Sequence, residues 1–129
     1  MKLGTIKKNE TPCLIFHIDN ELAVSIETLS EAFNLKLSCN STQEFISSDP
    51  VIQQKIVHAV EKITRHPDQY NLVNLNKVTW LPPNPNTRKI LGVAFNNKGI
   101  RKEAHFDPGC PNYFLKSSSC LNGHNEPVL

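Results

Sequence analysis

The stretch Cys13-Leu14-Ile15-Phe16-His17-Ile18-Asp19-Asn20-Glu21-Leu22-Ala23-Val24-Ser25-Ile26 decides the fold of the first part of the chain. Two apolar, β-prone runs flank Asp19-Asn20, a pair that favours a turn because both side chains hydrogen-bond to nearby backbone and tolerate left-handed conformations. The stretch therefore predicts two antiparallel strands. A further short strand is predicted over residues 3–7, before the polar turn at residues 8–11.

Two helices are predicted after these strands. Thr28 and Glu31 have the spacing of a capping box, which predicts a short helix over 28–33. A longer helix follows Ser48-Asp49-Pro50, where a polar side chain can cap the first turn and proline suits its start, and it ends at Arg65-His66-Pro67. Its apolar stripe consists of Ile52, Ile56, Ala59, Val60 and Ile63. The first part of the chain is thus predicted to be a small α+β domain with an antiparallel sheet and two helices.

A proline-rich segment separates this domain from the rest of the sequence. Pro82-Pro83-Asn84-Pro85-Asn86 cannot be helical and predicts an extended connector. We expect a small domain over residues 1–75, a connector over 76–86 and a second structural unit over 87–129. Within that unit, residues 89–95 and 113–116 predict short strands.

The composition excludes several classes of protein. The 129 residues include 14 Lys and Arg against 12 Asp and Glu, a formal net charge of +2 without any block of five like charges, so no nucleic-acid partner is expected. No apolar run of about 18 residues occurs, and the N-terminus lacks a signal-peptide pattern, so we expect no membrane partner and a cytoplasmic location. In a reducing compartment the four irregularly spaced cysteines favour thiols over a disulfide framework. These are Cys13, Cys39, Cys110 and Cys120.

The residues around and beyond the connector form a further pattern. The run Val78-Thr79-Trp80-Leu81-Pro82-Pro83-Asn84-Pro85-Asn86-Thr87-Arg88-Lys89-Ile90-Leu91-Gly92-Val93-Ala94-Phe95-Asn96 is followed by Pro111-Asn112-Tyr113-Phe114-Leu115-Lys116, and then by Gly123 with Pro127-Val128-Leu129. These stretches resemble the fumarylacetoacetate hydrolase family, which has a Leu-x-Pro-Pro-x-Pro connector, a Lys-Ile-x-x-Val-Gly-x-Asn-Tyr-x-x-His-x-x-Glu run, a Pro-x-x-Phe-x-Lys strand and a Gly-x-x-x-Pro-Ile segment. The resemblance implies that residues 87–129 supply the first strands of an incomplete, β-rich catalytic fold. Residues 1–75 would then correspond to the small N-terminal domain of the longer bacterial members.

The resemblance also implies a metal-dependent reaction. Family members hydrolyse, decarboxylate or isomerise acylpyruvates and related 2-oxo acids, with Mg²⁺ or Mn²⁺ held by a Glu-x-Glu pair and a later Asp. In relatives these carboxylates follow the Gly-x-x-x-Pro-Ile segment, whereas this sequence stops at Leu129. We therefore expect no metal site and no activity of this chain alone, and a small 2-oxo acid as substrate only of a completed protein.

Two candidate site residues follow from the family pattern. Glu103 falls on the family's catalytic Glu, and Lys116 falls on the Lys of its Phe-x-Lys strand, where it would face substrate. The family's His position holds Ile100, which cannot act as a general base. Glu103 beside Arg101 and Lys102 also fits a solvated surface charge, and Lys116 also fits a lysine that protects a strand edge. Whether the chain is an enzyme stays open.

Two alternatives to this interpretation remain. A degenerate, non-catalytic relative could act as a binding or assembly module, with its incomplete sheet or its N-terminal domain paired to another chain, for example as a homodimer. Cys110, Cys120, His124 and His105 raise the possibility of zinc, but their intervals do not match the compact ligand pairs of structural zinc sites. We therefore expect no zinc.

Overall fold

The structure is a computed structural model that describes residues 1–37, 39–105 and 107–127. Contacts divide the chain into two units: unit 1 comprises Met1–Pro85 with Asn122–Leu129, and unit 2 comprises Asn86–Leu121. Helices and strands are mixed in an α+β arrangement, which confirms the predicted fold class. No helix within the described residues is long and apolar enough to cross a bilayer.

Unit 1 is built on a five-stranded antiparallel sheet. Its strands are β1 (Leu3–Lys8), β2 (Thr11–His17), β3 (Leu22–Ser25), β4 (Val73–Asn74) and β5 (Thr79–Leu81). They lie in the order β4-β3-β2-β1-β5, with Phe16 of β2 opposite Leu3 of β1 and Val24 of β3. The first three strands are the predicted ones. Their order along the sheet follows from short turns, since tight turns place consecutive antiparallel strands side by side.

Local capping sets the start of the three α-helices in the described part of unit 1. They are α1 (Ile26–Phe33), α2 (Thr42–Ile46) and α3 (Pro50–Arg65). Of the two predicted cap candidates, Ser48 and Asp49, it is Asp49 that caps α3, because its Oδ1 accepts a hydrogen bond from the backbone N–H of Val51 at 2.7 Å. The predicted capping box of α1 is wrong, since Ser25 takes the cap position and its Oγ accepts from the N–H of Thr28 at 3.2 Å. The helix therefore begins two residues before Thr28.

The core of unit 1 lies between the sheet and the helices. The predicted stripe of α3 faces it, with Ile56, Ala59, Val60 and Ile63 buried. Phe45 of α2 meets Phe16 edge to face, with ring centroids 5.6 Å apart. Aromatic pairs in this geometry stabilise a core by about 0.5–1.5 kcal/mol beyond the area that they bury. The other buried apolar residues of the core are Ile6, Cys13, Leu14, Ile15, Ala23, Val24, Ile26, Leu29 and Cys39.

The first half of the predicted connector belongs to the sheet. β5 pairs with β1, with Trp80 opposite Ile6, and the indole of Trp80 packs against the core. The hydroxyl of Thr5 donates to the carbonyl oxygen of Pro83 at 2.9 Å, which fixes the proline-rich run beside the sheet. The predicted boundaries at 75, 76 and 86 stay predictions of domain organisation. What the structure adds is a contribution of residues 79–81 to the sheet of unit 1.

The described residues of unit 2 form a two-stranded antiparallel ribbon, one short α-helix and a 3-10 turn at Ser118–Cys120. The ribbon consists of β6 (Ile90–Ala94) and β7 (Asn112–Lys116), with Gly92 directly opposite Phe114. A Cβ at Gly92 would lie 2.3 Å from Cζ of the Phe114 ring, so the ring occupies the space that any side chain at position 92 would need. The helix α4 (Lys98–Glu103) follows β6. Both predicted strands of this region are thus present as neighbours.

Candidate functional site

A cleft in unit 2 lies where β6 ends and α4 begins. Phe95 has a φ of 54°, a left-handed backbone that is uncommon for a bulky residue and that turns the chain sharply after β6. Asn97 then caps α4, because its Oδ1 accepts from the N–H of Gly99 at 2.8 Å. The resulting cleft has a volume of about 390 Å³ and is lined by residues 93–96, Arg101 and residues 107–111.

An ion pair forms one wall of this cleft. The guanidinium of Arg101 lies 3.6 Å from Oδ1 of Asp107, and the Arg101 side chain is 30% exposed. Oδ1 of Asp107 also accepts a hydrogen bond from the N–H of Gly109 at 3.2 Å, in a turn where Gly109 has a φ of +66°. The carboxylate therefore links the helix to the turn before β7. An exposed pair of this kind contributes about 0–1 kcal/mol to stability.

The two predicted site residues lie in unit 2 but outside the lining of this cleft. Glu103 is the last residue of α4 and is exposed, and Lys116 is the last residue of β7 and lies opposite Ile90. Ile100, at the family's His position, lies one helical turn before Glu103 and is also exposed. The charged residues that do line the cleft are Arg101 and Asp107. Sequence reasoning missed this pair, since its only signal was the turn-forming Asp-Pro-Gly that begins at position 107.

The residues considered for zinc do not form a cluster. Among residues 1–37, 39–105 and 107–127, no three His, Cys, Asp or Glu side chains are grouped closely enough to hold a metal ion. Cys110 and Cys120 are exposed thiols, whereas Cys13 is buried in unit 1. Burial raises the pKa of the Cys13 thiol, and the nearby Glu27 carboxylate raises that pKa further. Cys13 is therefore a core residue that stays protonated at neutral pH.

A second groove lies in unit 1 beside β5. It has a volume of about 610 Å³ and is lined by Trp80 and neighbouring residues of β5 together with His124 and Glu126 from the last described segment. The side-chain amide of Asn122 donates to the carbonyl oxygen of Pro127 at 2.6 Å, which folds that segment back on itself. The polar residues of that segment are exposed.

Chemically, the cleft of unit 2 offers one guanidinium, one carboxylate and a thiol, Cys110, along its wall. Arg101 could bind a carboxylate or phosphate if Asp107 released it, because a guanidinium pairs with both anions through two parallel hydrogen bonds. No histidine is among the described residues that line the cleft, so its wall supplies no His–carboxylate dyad. A comparison of the chain with models of known protein families finds no match, and neither does a comparison with curated proteins.

Proposed function

We propose that the chain is a fumarylacetoacetate hydrolase-like protein in which unit 2 supplies the first strands of the catalytic fold, and that this chain alone does not catalyse the family's reaction. One observation carries the proposal. The stretches that resemble the family's Lys-Ile run and its Phe-x-Lys strand become β6 and β7, which pair along their full length from Ile90 opposite Lys116 to Ala94 opposite Asn112. The order and spacing of the motifs are thus compatible with one continuous piece of sheet.

The same proposal assigns roles to the two predicted site residues. Glu103 takes the position of the family's carboxylate, and Lys116 takes that of the lysine that would face a 2-oxo acid. The general base has no counterpart, because the side chain of Ile100 cannot accept a proton. A completed site would therefore lack the general base at this position, and its activity would be low.

The Mg²⁺ or Mn²⁺ implied by the resemblance does not fit the described residues. Three carboxylate ligands are needed, whereas unit 2 contains only Glu103 and Asp107, and Asp107 is paired with Arg101. We therefore propose no step through a metal for this chain.

Two measurements test the proposal. We expect the intact mass of the polypeptide isolated from its source to exceed 14.5 kDa, with a Glu-x-Glu pair and a later Asp in the additional sequence. We also expect the 129-residue chain to leave an acylpyruvate unchanged with Mg²⁺ present. A native mass of 14.5 kDa would contradict the larger catalytic fold. Turnover by the 129-residue chain that is lost in Glu103→Gln would contradict the assigned inactivity.

A second candidate function is that of an assembly module, and the surface of the ribbon favours it. Leu91 lies opposite Leu115 and Val93 lies opposite Tyr113, so these four side chains share one face. They are 61%, 70%, 43% and 61% exposed, respectively. An isolated two-stranded ribbon is marginally stable at best in water, and its unpaired edges are open to another strand. Association with a second copy of the chain would cover this face.

The oligomeric state of the chain in solution tests the second candidate. Sedimentation equilibrium of the wild-type chain should show a dimer at high concentration, and the double variant Leu91→Ser/Leu115→Ser should be monomeric. Ile46→Ser is the matched control, because Ile46 is an equally exposed apolar residue in unit 1. A wild-type chain that stays monomeric throughout, or a control that dissociates as readily as the double variant, would exclude association through the ribbon.

A further inference from the structure

The helix of unit 2 concentrates positive charge on one face. Lys98, Arg101 and Lys102 are three and four residues apart, so they share a face of α4. Together with His105 and Asp107 they line a groove with a volume of about 550 Å³. This groove is called the cationic groove below, and all five of its lining residues belong to unit 2.

The positive charges of the cationic groove are only partly compensated. Asp107 pairs with Arg101 at 3.6 Å, whereas neither Lys98 nor Lys102 forms an ion pair with any residue that the structure describes. Like charges at this four-residue spacing repel one another on a helix. A bound anion would reduce that repulsion.

The charged residues of the chain are divided unequally between the two units, which also favours anion binding by unit 2. Unit 2 holds six of the 14 Lys and Arg but only two of the 12 Asp and Glu, a formal charge of +4, while unit 1 is left with eight against ten, a charge of −2. The net charge of the whole chain conceals this asymmetry. Unit 2 therefore has a field that attracts anions, and the cationic groove contains three of its six cations.

We propose that the cationic groove binds a multiply charged phosphate anion. Ammonium and guanidinium groups donate charge-assisted hydrogen bonds to phosphate oxygens, the guanidinium through a planar fork and each ammonium as a point charge. Lys98 and Lys102 supply the uncompensated charge, and Arg101 adds a directional contact if phosphate competes with Asp107 for it. The inference does not depend on the proposed family function, because it uses neither Glu103 nor Lys116.

Titration with tripolyphosphate tests the proposal on the full chain. Isothermal titration calorimetry at low salt should give saturable binding, and the amide resonances of residues 98–105 should shift in ¹H–¹⁵N spectra. Binding should weaken steeply with added salt, since exposed charges are screened beyond about 10 Å at 0.1 M ionic strength. No saturation at low salt, or shifts confined to unit 1, would overturn the proposal.

Matched variants separate a site from general electrostatic attraction. Lys98→Gln/Lys102→Gln should weaken tripolyphosphate binding by about tenfold, which corresponds to about 1.4 kcal/mol. Lys36→Gln/Lys55→Gln removes the same charge from exposed positions of unit 1 and should leave the affinity unchanged. Equal weakening by both variants would contradict a defined groove. All four positions are exposed, and circular dichroism verifies that each variant is folded.

The phosphate could come from a free metabolite or from a lipid headgroup, and vesicles distinguish these sources. Phosphatidylcholine vesicles with and without an anionic phosphoinositide are sedimented with the chain. Co-sedimentation that requires the phosphoinositide and is lost in Lys98→Gln/Lys102→Gln supports the headgroup source. Tripolyphosphate binding without co-sedimentation supports the free anion. Vesicle binding that this variant leaves unchanged would place the phosphate contacts elsewhere and contradict the proposal.

Discussion

Gly123 lies directly against the backbone carbonyl of Trp80, so closely that a Cβ at position 123 would be 1.8 Å from that oxygen. The carbonyl belongs to β5, an edge strand of the sheet that pairs with β1 on its other side. A backbone oxygen in a paired strand cannot move aside as a flexible side chain can. The segment after unit 2 is thereby held beside β5 at a residue that must be glycine.

Gly123→Ala should destabilise unit 1 by about 1–3 kcal/mol, because the added methyl group forces the segment away from β5. Urea denaturation followed by circular dichroism measures the loss. Glu126→Ala alters an exposed side chain in the same segment and should change the free energy of unfolding by less than about 0.5 kcal/mol. Equal stability of Gly123→Ala and the wild type would mean that this segment is not packed on β5.

Ser25→Ala should lower stability by about 1 kcal/mol, since it removes the hydroxyl oxygen that accepts the N–H of Thr28 at the start of α1. Glu31→Ala, which alters the capping box predicted from the sequence, should have almost no effect because Glu31 is exposed and lies in the last turn of α1, away from its N-terminus. Thermal unfolding of both variants compares the two assignments. A larger loss for Glu31→Ala would restore the predicted cap.

Phe45→Ala should cost about 3–5 kcal/mol, because it leaves a cavity beside Phe16 in the core of unit 1. Its neighbour Ile46 is exposed, so Ile46→Ala should be nearly neutral. Chemical denaturation of the two variants gives the comparison. Similar free energies of unfolding for the two variants would show that α2 does not pack on the sheet through Phe45.

The stability of unit 1 should fall as pH rises above about 9. The pKa of Cys13 is raised above its ordinary value of 9.0, chiefly by burial. Above that pH the unfolded chain loses the thiol proton while the folded chain retains it, so the unfolded state is favoured. Lys8 adds to the effect, because its hydrogen bond to Glu27 raises its pKa and contributes stability that is lost as pH rises through the raised value.

Cys13→Val separates these two contributions. We expect the variant to show a shallower decline in the free energy of unfolding at alkaline pH, with the remainder due to Lys8. Denaturation midpoints measured from pH 7 to about one pH unit above the ordinary Lys8 value of 10.5 cover the range in which both groups begin to lose their protons in the unfolded chain. Parallel profiles for the wild type and the variant would show that the Cys13 thiol is not responsible.

The sequence predicts those parts of the fold whose signals are local and repeated. The first three strands and α3 follow from alternating or helical apolar patterns bounded by turn and cap residues. The five residues of α2 are too few to show a helical period, so the sequence does not predict that Phe45 lies in the core. The start of α1 was misplaced because Ser25 and Thr28 both have the hydroxyl that a cap requires.

The candidate site was less predictable, for a different reason. Glu103 and Lys116 come from a family pattern, and a pattern in the sequence does not show which side chains face one cleft. The Arg101–Asp107 pair depends on how the chain turns after α4, and the two residues have no periodic relationship. The net charge of the whole chain does not indicate the cationic groove, because it is the sum of two units whose formal charges have opposite signs.

The discontinuity of unit 1 has a consequence for biosynthesis. The ribosome makes β1 to β5 first, then all of unit 2, and only afterwards the segment that contains Gly123. The carbonyl of Trp80 therefore remains without this neighbour while unit 2 is being translated, so the nascent sheet has an accessible edge at β5 during that interval. Unit 1 completes its packing last, although it begins folding first.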